Sequence, residues 1–411
     1  MKLSRAAVLV AAASCAIAGA APKALAHQPR AHHDDRGDVP LITGHRGAPG
    51  YLPDHTLEGY RLAIEMGADY VEPDLVRTKD GFLIARHEPN IGATTDVASK
   101  FPASRRRTYI VDGAPVTDYF ATDFTLKEIR TLRAVQPLAG PPDNRPPAPA
   151  DCTCKIPTFD EVLALVKREG RNRGRHVGVY PETKHPTFHQ QHGLPLERLV
   201  VDTLKRFGLN RKGAPVIIQS FEQSNLRVLN RITPVTLAQL VDAWDVNLDG
   251  SLVFAETSTR PYDWTVSGDP ELMSRTYGYF ATNAGLDEIA EYADIVAPWK
   301  PYIVPTTGID LNRDGNADDV NGDGTVDERD RQLGRPTSLI RRAHKRGLDV
   351  HTWTFRNEPR RLAADYFRWA GGNALEAAKN EYKLFFALGI DGLFSDFTDT
   401  AVAAREEFFA G

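Results

Sequence analysis

Leu41-Ile42-Thr43-Gly44-His45-Arg46-Gly47 and, further along, Tyr70-Val71-Glu72-Pro73-Asp74-Leu75 decide how this chain reads. Each is a short apolar run that brings charged side chains to its end, and the amphipathic segment Thr56–Met66 joins them. That order predicts two parallel strands linked by a crossover helix. Working outward, further strand candidates are Leu83–Arg86, Val177–Glu182, Val216–Ser220, Val235–Leu240, Val350–Thr354 and Gly392–Ser395, alternating with amphipathic segments as far as Asp399–Phe408. Eight strands and eight helices predict an α/β fold, a closed (β/α)8 TIM barrel, with Asp294–Ala297 as a further strand candidate. Three stretches interrupt the alternation as insertions, at about 91–155, 244–284 and 306–334.

In such barrels the chemistry sits on the loops that follow the strands. Residues two apart in a strand share a face, roughly 6 to 7 Å apart, so Glu72 and Asp74 can grip one cation. Glu182 adds a third carboxylate and Lys184, on the same face, an ammonium. Three oxygen donors without His or Cys favour a hard ion, Ca2+ or Mg2+. His45 and His87 follow the first and third strand candidates and suit proton transfer at neutral pH. Arg46 and Lys184 would hold anionic oxygens. A proton shuttle, a cation and phosphate-binding charges are what hydrolysis of a phosphodiester calls for.

Residues 1–26 read as a signal peptide, with Lys2 and Arg5 before an apolar run and Ala24-Leu25-Ala26 before the cut. The mature chain is therefore expected to be secreted or periplasmic, and residues 27–38 to be a disordered polar linker ahead of a domain over 39–411. Losing Lys2, Arg5 and Lys23 moves the formal charge from -4 to -7, which disfavours nucleic acid as a partner. No later run reaches the roughly 18 apolar residues of a membrane span. Cys152 and Cys154, one residue apart in an exported chain, suit a disulfide that staples a loop, and they lack the companion pair of a zinc site.

Within the third insertion, Asp319, Asn321, Asp323, Thr325, Asp327 and Asp330 occupy positions 1, 3, 5, 7, 9 and 12 of a loop with Gly324 at 6. This is an EF-hand-like calcium loop in which Asp330 replaces the usual final Glu. An overlapping set, Asp310, Asn312, Asp314, Asn316 and Asp318, precedes it. Residues 306–334 carry eight acidic and three basic side chains, a surplus that Ca2+ would relieve. Asp245, Asn247 and Asp249 begin the same way and reach Glu256 at position 12, but Val253 stands at 9.

The ordered set His45-Arg46-Gly47, Pro53-Asp54-His55-Thr56-Leu57-Glu58, Glu72-x-Asp74, His87 with Thr94-Thr95-Asp96, Glu182-x-Lys184, Gln219-Ser220-Phe221 and Trp353-Thr354 resembles the glycerophosphodiester phosphodiesterases, in particular the secreted bacterial type. The resemblance runs from residue 42 to about 398. It implies a (β/α)8 barrel that hydrolyses small-molecule glycerophosphodiesters to sn-glycerol 3-phosphate and an alcohol. It also implies His45 and His87 as the acid–base pair, and Glu72, Asp74 and Glu182 as ligands of a divalent cation. Arg46 and Lys184 would contact phosphate, with Phe221 and Trp353 on the glycerol side. Two departures are Pro53-Asp54, where Pro-Glu is common, and His87-Glu88, where His-Asp is common. Competing readings are a related barrel phosphodiesterase such as a lysophospholipase D, and a non-enzymatic calcium-dependent surface-binding protein.

Overall fold

The computed structural model describes residues 39–140 and 143–410. The signal peptide and linker expected over 1–38 lie outside them. The first strand, Leu41–His45, pairs in parallel with Tyr70–Glu72 on one side and with Gly392–Ser395 on the other. The second barrel strand breaks at Pro73 into Tyr70–Glu72 and Asp74–Arg77, and the third breaks into Gly178–Val179 and Glu182–Thr183. The halves pair in step, Tyr70 with Gly178 and Asp74 with Glu182. Ile217–Ser220, Thr236–Val241, Ile295–Pro298, Asp349–Phe355 and Gly392–Ser395 follow in order, each parallel to the next, and the ring closes.

One expected barrel strand is corrected. Leu83–Ala85 pairs antiparallel with Asp74–Arg77 and lies outside the ring, while Ile295–Pro298 is the sixth barrel strand. A short apolar run reads the same whichever partner it takes. The turn decides here: Thr78 donates its amide to the Phe82 carbonyl at 2.9 Å and Gly81 takes φ +90°, folding the chain straight back.

Tyr70, Tyr180, Ile217, Ala238, Ile295 and Phe394 fill the barrel interior. Their neighbours Val71, Val179, Ile218, Leu237, Val296 and Leu393 belong to the layer beneath the helices. Strand alternation thus builds two apolar layers from adjacent residues.

The chain between the second and third barrel strands carries its own small core, with Val76, Ile84, Ile91, Phe124, Leu132 and Ile156 buried together. It also extends a hairpin, Arg107–Val111 against Ala114–Asp118. The two-residue turn Asp112-Gly113, at φ 47° and 88°, is of the type I′ kind that matches strand twist. Cys152 and Cys154 are disulfide-bonded. The acidic insertion is held at its base by Thr306–Gly308 pairing with Arg331–Leu333. Among the described residues no helix is long and apolar enough to cross a membrane.

Candidate active site

The rim begins where the first strand ends. Arg46 adopts the left-handed conformation at φ 52°, and its amide donates to Glu72 Oε2 at 2.7 Å. Gly47 follows at φ 101°, and a Cβ there would lie 2.9 Å from the Gly59 carbonyl carbon. Only glycine lets this turn sit against the helix Leu57–Glu65.

Glu72, Asp74 and Glu182, from adjacent broken strands, each bring one carboxylate oxygen within 4.8 Å of the others. All three are buried. Burial, then the neighbouring Asp74, pushes the Glu72 carboxyl well above its usual range, and burial raises Glu182 to about 8 against the pull of Lys184. Burial acts on Asp74 too, but His55, His87 and Lys184 outweigh it and hold that carboxyl low. His55 Nε2 sits 2.9 Å from Asp74 Oδ2 and His55 Nδ1 2.8 Å from the Tyr60 hydroxyl, while Gln219 Nε2 donates to Glu72 Oε1 at 3.2 Å. Asp74 Oδ1 is buried without a hydrogen-bond partner. Three crowded, buried carboxylates with an unpaired oxygen fit a divalent cation, and an all-oxygen set fits a hard one.

The two imidazoles line the same cavity of about 350 Å³ as these carboxylates. His45 Nδ1 lies 2.6 Å from Asp396 Oδ1. Asp396 is gripped by Arg145 Nη2 at 2.5 Å and Arg356 Nε at 3.1 Å, and Arg145 also donates to Glu358 at 2.7 Å. Burial, then Arg46, lowers the His45 pKa against Asp396. His87 Nδ1 lies 2.7 Å from Glu88 Oε1 and its Nε2 3.3 Å from Lys184 Nζ. Burial, Arg46 and Lys184 push His87 down to about 3.

Lys184 Nζ pairs with Glu182 at 3.0 Å and stands 5.4 Å over the Phe221 ring. Phe221 meets Trp353 edge-on, with ring centres 5.8 Å apart at 89°. Arg46 pairs with Asp54 at 3.3 Å, and burial is outweighed by Asp54 and Asp74, which keep its charge. The rim residues expected from the sequence thus meet at one cavity, with Arg46, Lys184, Phe221 and Trp353 in its wall.

Sequence reasoning missed Asp396, Arg145, His185 and Asp112. Asp396 directly follows the last barrel strand, so its place at a strand end was a usable signal. Asp112-Gly113 between apolar runs is a hairpin signature that was there to be read. Arg145, in a proline-rich excursion, carried none.

The acidic insertion forms two similar turns away from this cavity. Asp319 accepts the amides of Gly322, Asp323 and Gly324, Asn321 that of Asp323, and Asp323 that of Thr325. Asp330 closes the turn by accepting from Val320 and Asn321. The pattern repeats with Asp310 accepting the amides of Arg313, Asp314 and Gly315, Asn312 that of Asp314, and Asp314 that of Asn316, and Asp318 closes it by accepting from Leu311 and Asn312. Arg329 pairs with Asp323 and Asp327. Among the described residues, only Glu72, Asp74 and Glu182 gather three His, Cys or acidic donors this tightly. Asp245–Val246 pairs with Leu252–Val253, so Val253 at the ninth position of the Asp245 stretch belongs to a strand.

The Glycerophosphoryl diester phosphodiesterase family matches residues 45–400. A glycerophosphodiester phosphodiesterase of Arabidopsis thaliana is 34% identical over 376 residues, covering 87% of this chain and 84% of the relative. One from Haemophilus influenzae is 31% identical over 382 residues, covering 90% of each. Among solved structures, an Oleispira antarctica phosphodiesterase in complex with the product sn-glycerol-3-phosphate superposes with TM-score 0.51 at 15% identity, covering 90% of this chain and 97% of that one. That likeness speaks for the barrel fold. With a match over nearly all of the barrel and relatives above 30% along most of their length, the chain belongs to the glycerophosphoryl diester phosphodiesterase family.

Proposed function

We propose that the protein hydrolyses glycerophosphodiesters to sn-glycerol 3-phosphate and an alcohol, with a divalent cation held by Glu72, Asp74 and Glu182. The observation that carries this is one cavity containing that buried carboxylate triad, two imidazoles each backed by a carboxylate, and two cationic side chains. The product bound to the Oleispira antarctica relative supports the same substrate class.

Arg46 and Lys184 neutralise the non-bridging phosphate oxygens, Arg46 by its fork and Lys184 as a point charge. Bound at the triad, Ca2+, or Mg2+ as the alternative, supplies further stabilisation of charge on those oxygens. His87, kept neutral between Arg46 and Lys184, takes the proton from the attacking oxygen. His45, oriented by Asp396 at its Nδ1, gives a proton to the departing alkoxide as the phosphorus–oxygen bond breaks. Phe221 and Trp353 wall the glycerol side. The attacking group is either the glycerol 2-hydroxyl, with a cyclic phosphate later opened by water, or water itself. Phosphorus stereochemistry separates them: retention for two displacements, inversion for one.

The insertion loop at Asp319–Asp330, with Asp310–Asp318 before it, is proposed as a second Ca2+ site that orders the segment. The leader over residues 1–26 is proposed to be removed, which places the mature chain, with its domain at 39–411, outside the cytoplasm. N-terminal sequencing of the exported protein should begin at His27. The functional test is release of sn-glycerol 3-phosphate from a panel of glycerophosphodiesters, with and without chelator, then with Ca2+ or Mg2+ restored. Turnover indifferent to stringent chelation would sink the cation role. His45→Ala should lose that turnover; a wild type that turns over no diester, with a surface partner held equally by wild type and His45→Ala, would sink the enzymatic reading.

A further inference from the structure

We propose that His185 is a positioning residue for His87, acting through Glu88 and anchored in turn by Asp112. This deepens the functional reading above and rests on its assignment of His87 as the base.

His185 follows the third barrel strand in the left-handed conformation, φ 43°. Its Nε2 lies 2.8 Å from Glu88 Oε2 and its Nδ1 3.0 Å from Asp112 Oδ2. A neutral imidazole has one N–H, so two contacts to carboxylate oxygens are both satisfied by donation only in the imidazolium. Burial works against that charge, but Asp112 and Glu88 hold the His185 pKa well above its usual value. His189, which the His185 charge reaches, is buried and pushed to about 3, hence neutral.

Glu88 is therefore engaged at both oxygens, Oε1 by His87 Nδ1 and Oε2 by His185 Nε2. Held at both ends, the carboxylate accepts an N–H from His87 Nδ1 and leaves the lone pair on Nε2, which is the form a base needs. The charges alternate along the row, Asp112 negative, His185 positive, Glu88 negative, so Glu88 stays ionised when His87 takes up its proton between Arg46 and Lys184. Released from His185, Glu88 has a competing partner in Lys184, whose charge it already favours. Asp112 comes from the hairpin turn, also at a positive φ of 47°. Two residues held in this sparsely populated region, on separate excursions, converge on one contact.

The test is a double-mutant cycle on the full mature chain. His185→Gln should lower kcat about ten- to a hundredfold, the range of an outer partner that orients an imidazole, with KM within about twofold. His185→Lys, which keeps a charged donor, should recover most of the loss. In a Glu88→Gln background, His185→Gln should add little further loss, because the two act as a unit. Losses that multiply independently, or a folded His185→Gln enzyme at wild-type kcat, would overturn the proposal. Should His185→Gln fail to fold, Asp112→Asn takes its place in the cycle, with a smaller non-additive loss expected and no loss overturning it. A wild type without turnover counts against the functional reading itself, whereas an active wild type indifferent to His185 counts against this proposal alone.

Discussion

His45 Nδ1 lies 2.6 Å from Asp396 Oδ1, a contact between side chains 351 positions apart in the chain. The first and last barrel strands pair side by side, and that pairing brings the two residues together. Asp396 in turn is pinned by Arg145 and Arg356. The imidazole is thereby oriented with Nδ1 toward the carboxylate.

Asp396→Asn should lower kcat by roughly two to four orders of magnitude, because an amide can donate to Nδ1 and favour the wrong tautomer. KM should move little. Steady-state kinetics on a protein with a normal melting profile checks this, and a kcat within twofold of wild type would refute the role given to Asp396.

Glu182→Gln removes one of three carboxylates from the triad and leaves Lys184 without its 3.0 Å partner. Calorimetric titration with Ca2+ or Mg2+ should show affinity reduced by more than the roughly 10–100-fold typical of an outer-shell change. Unaltered affinity would place the ion elsewhere.

Phe221→Ala should raise KM more than it lowers kcat. The ring contributes an aromatic contact to Trp353 and a face to Lys184, contacts worth about 0.5–1.5 kcal/mol. A fall in kcat alone would move Phe221 from binding to chemistry.

At the opposite end of the barrel, Asp349 opens the seventh strand, and burial followed by Asp391 raises its carboxyl from 3.8 to about 7. A raised folded pKa stabilises the protonated form, so this contribution is full below 3.8 and is lost as pH rises through about 7. Asp349→Asn should melt a few degrees above wild type on the alkaline side of that window and show no such gain on the acid side. Parallel melting curves for the two proteins across the range would refute the shift.

In the acidic insertion, Ca2+ should protect residues 310–330 from limited proteolysis, and Asp319→Ala should abolish the protection while leaving turnover of small diesters intact. Equal cleavage with and without Ca2+ would mark the segment as a loop that orders without an ion.

Much of the cavity was legible in the sequence for a simple reason. In a parallel barrel every strand end faces the same rim, so His45, Glu72, Asp74, Glu182 and Lys184 could be assembled from their positions at strand ends without knowledge of distances. The two-residue period put Glu72 with Asp74 and Glu182 with Lys184. Pairing partners were another matter. Leu83–Ala85 and Ile295–Pro298 are equally apolar short runs, and only the tight return at Gly81 and the pairing with Thr236–Val241 and Asp349–Phe355 assigned one to a hairpin and the other to the ring.

The residue types at the strand ends, and with them the chemistry, were determined by the sequence alone, because local periodicity dictates which side chains reach the rim. The partners that set each group's protonation were decided by the tertiary structure: Asp396 behind His45, Arg145 behind Asp396, and Asp112 with His185 behind Glu88. These contacts join segments far apart in the chain, and hydrogen-bond geometry between distant segments leaves no periodic trace in either of them.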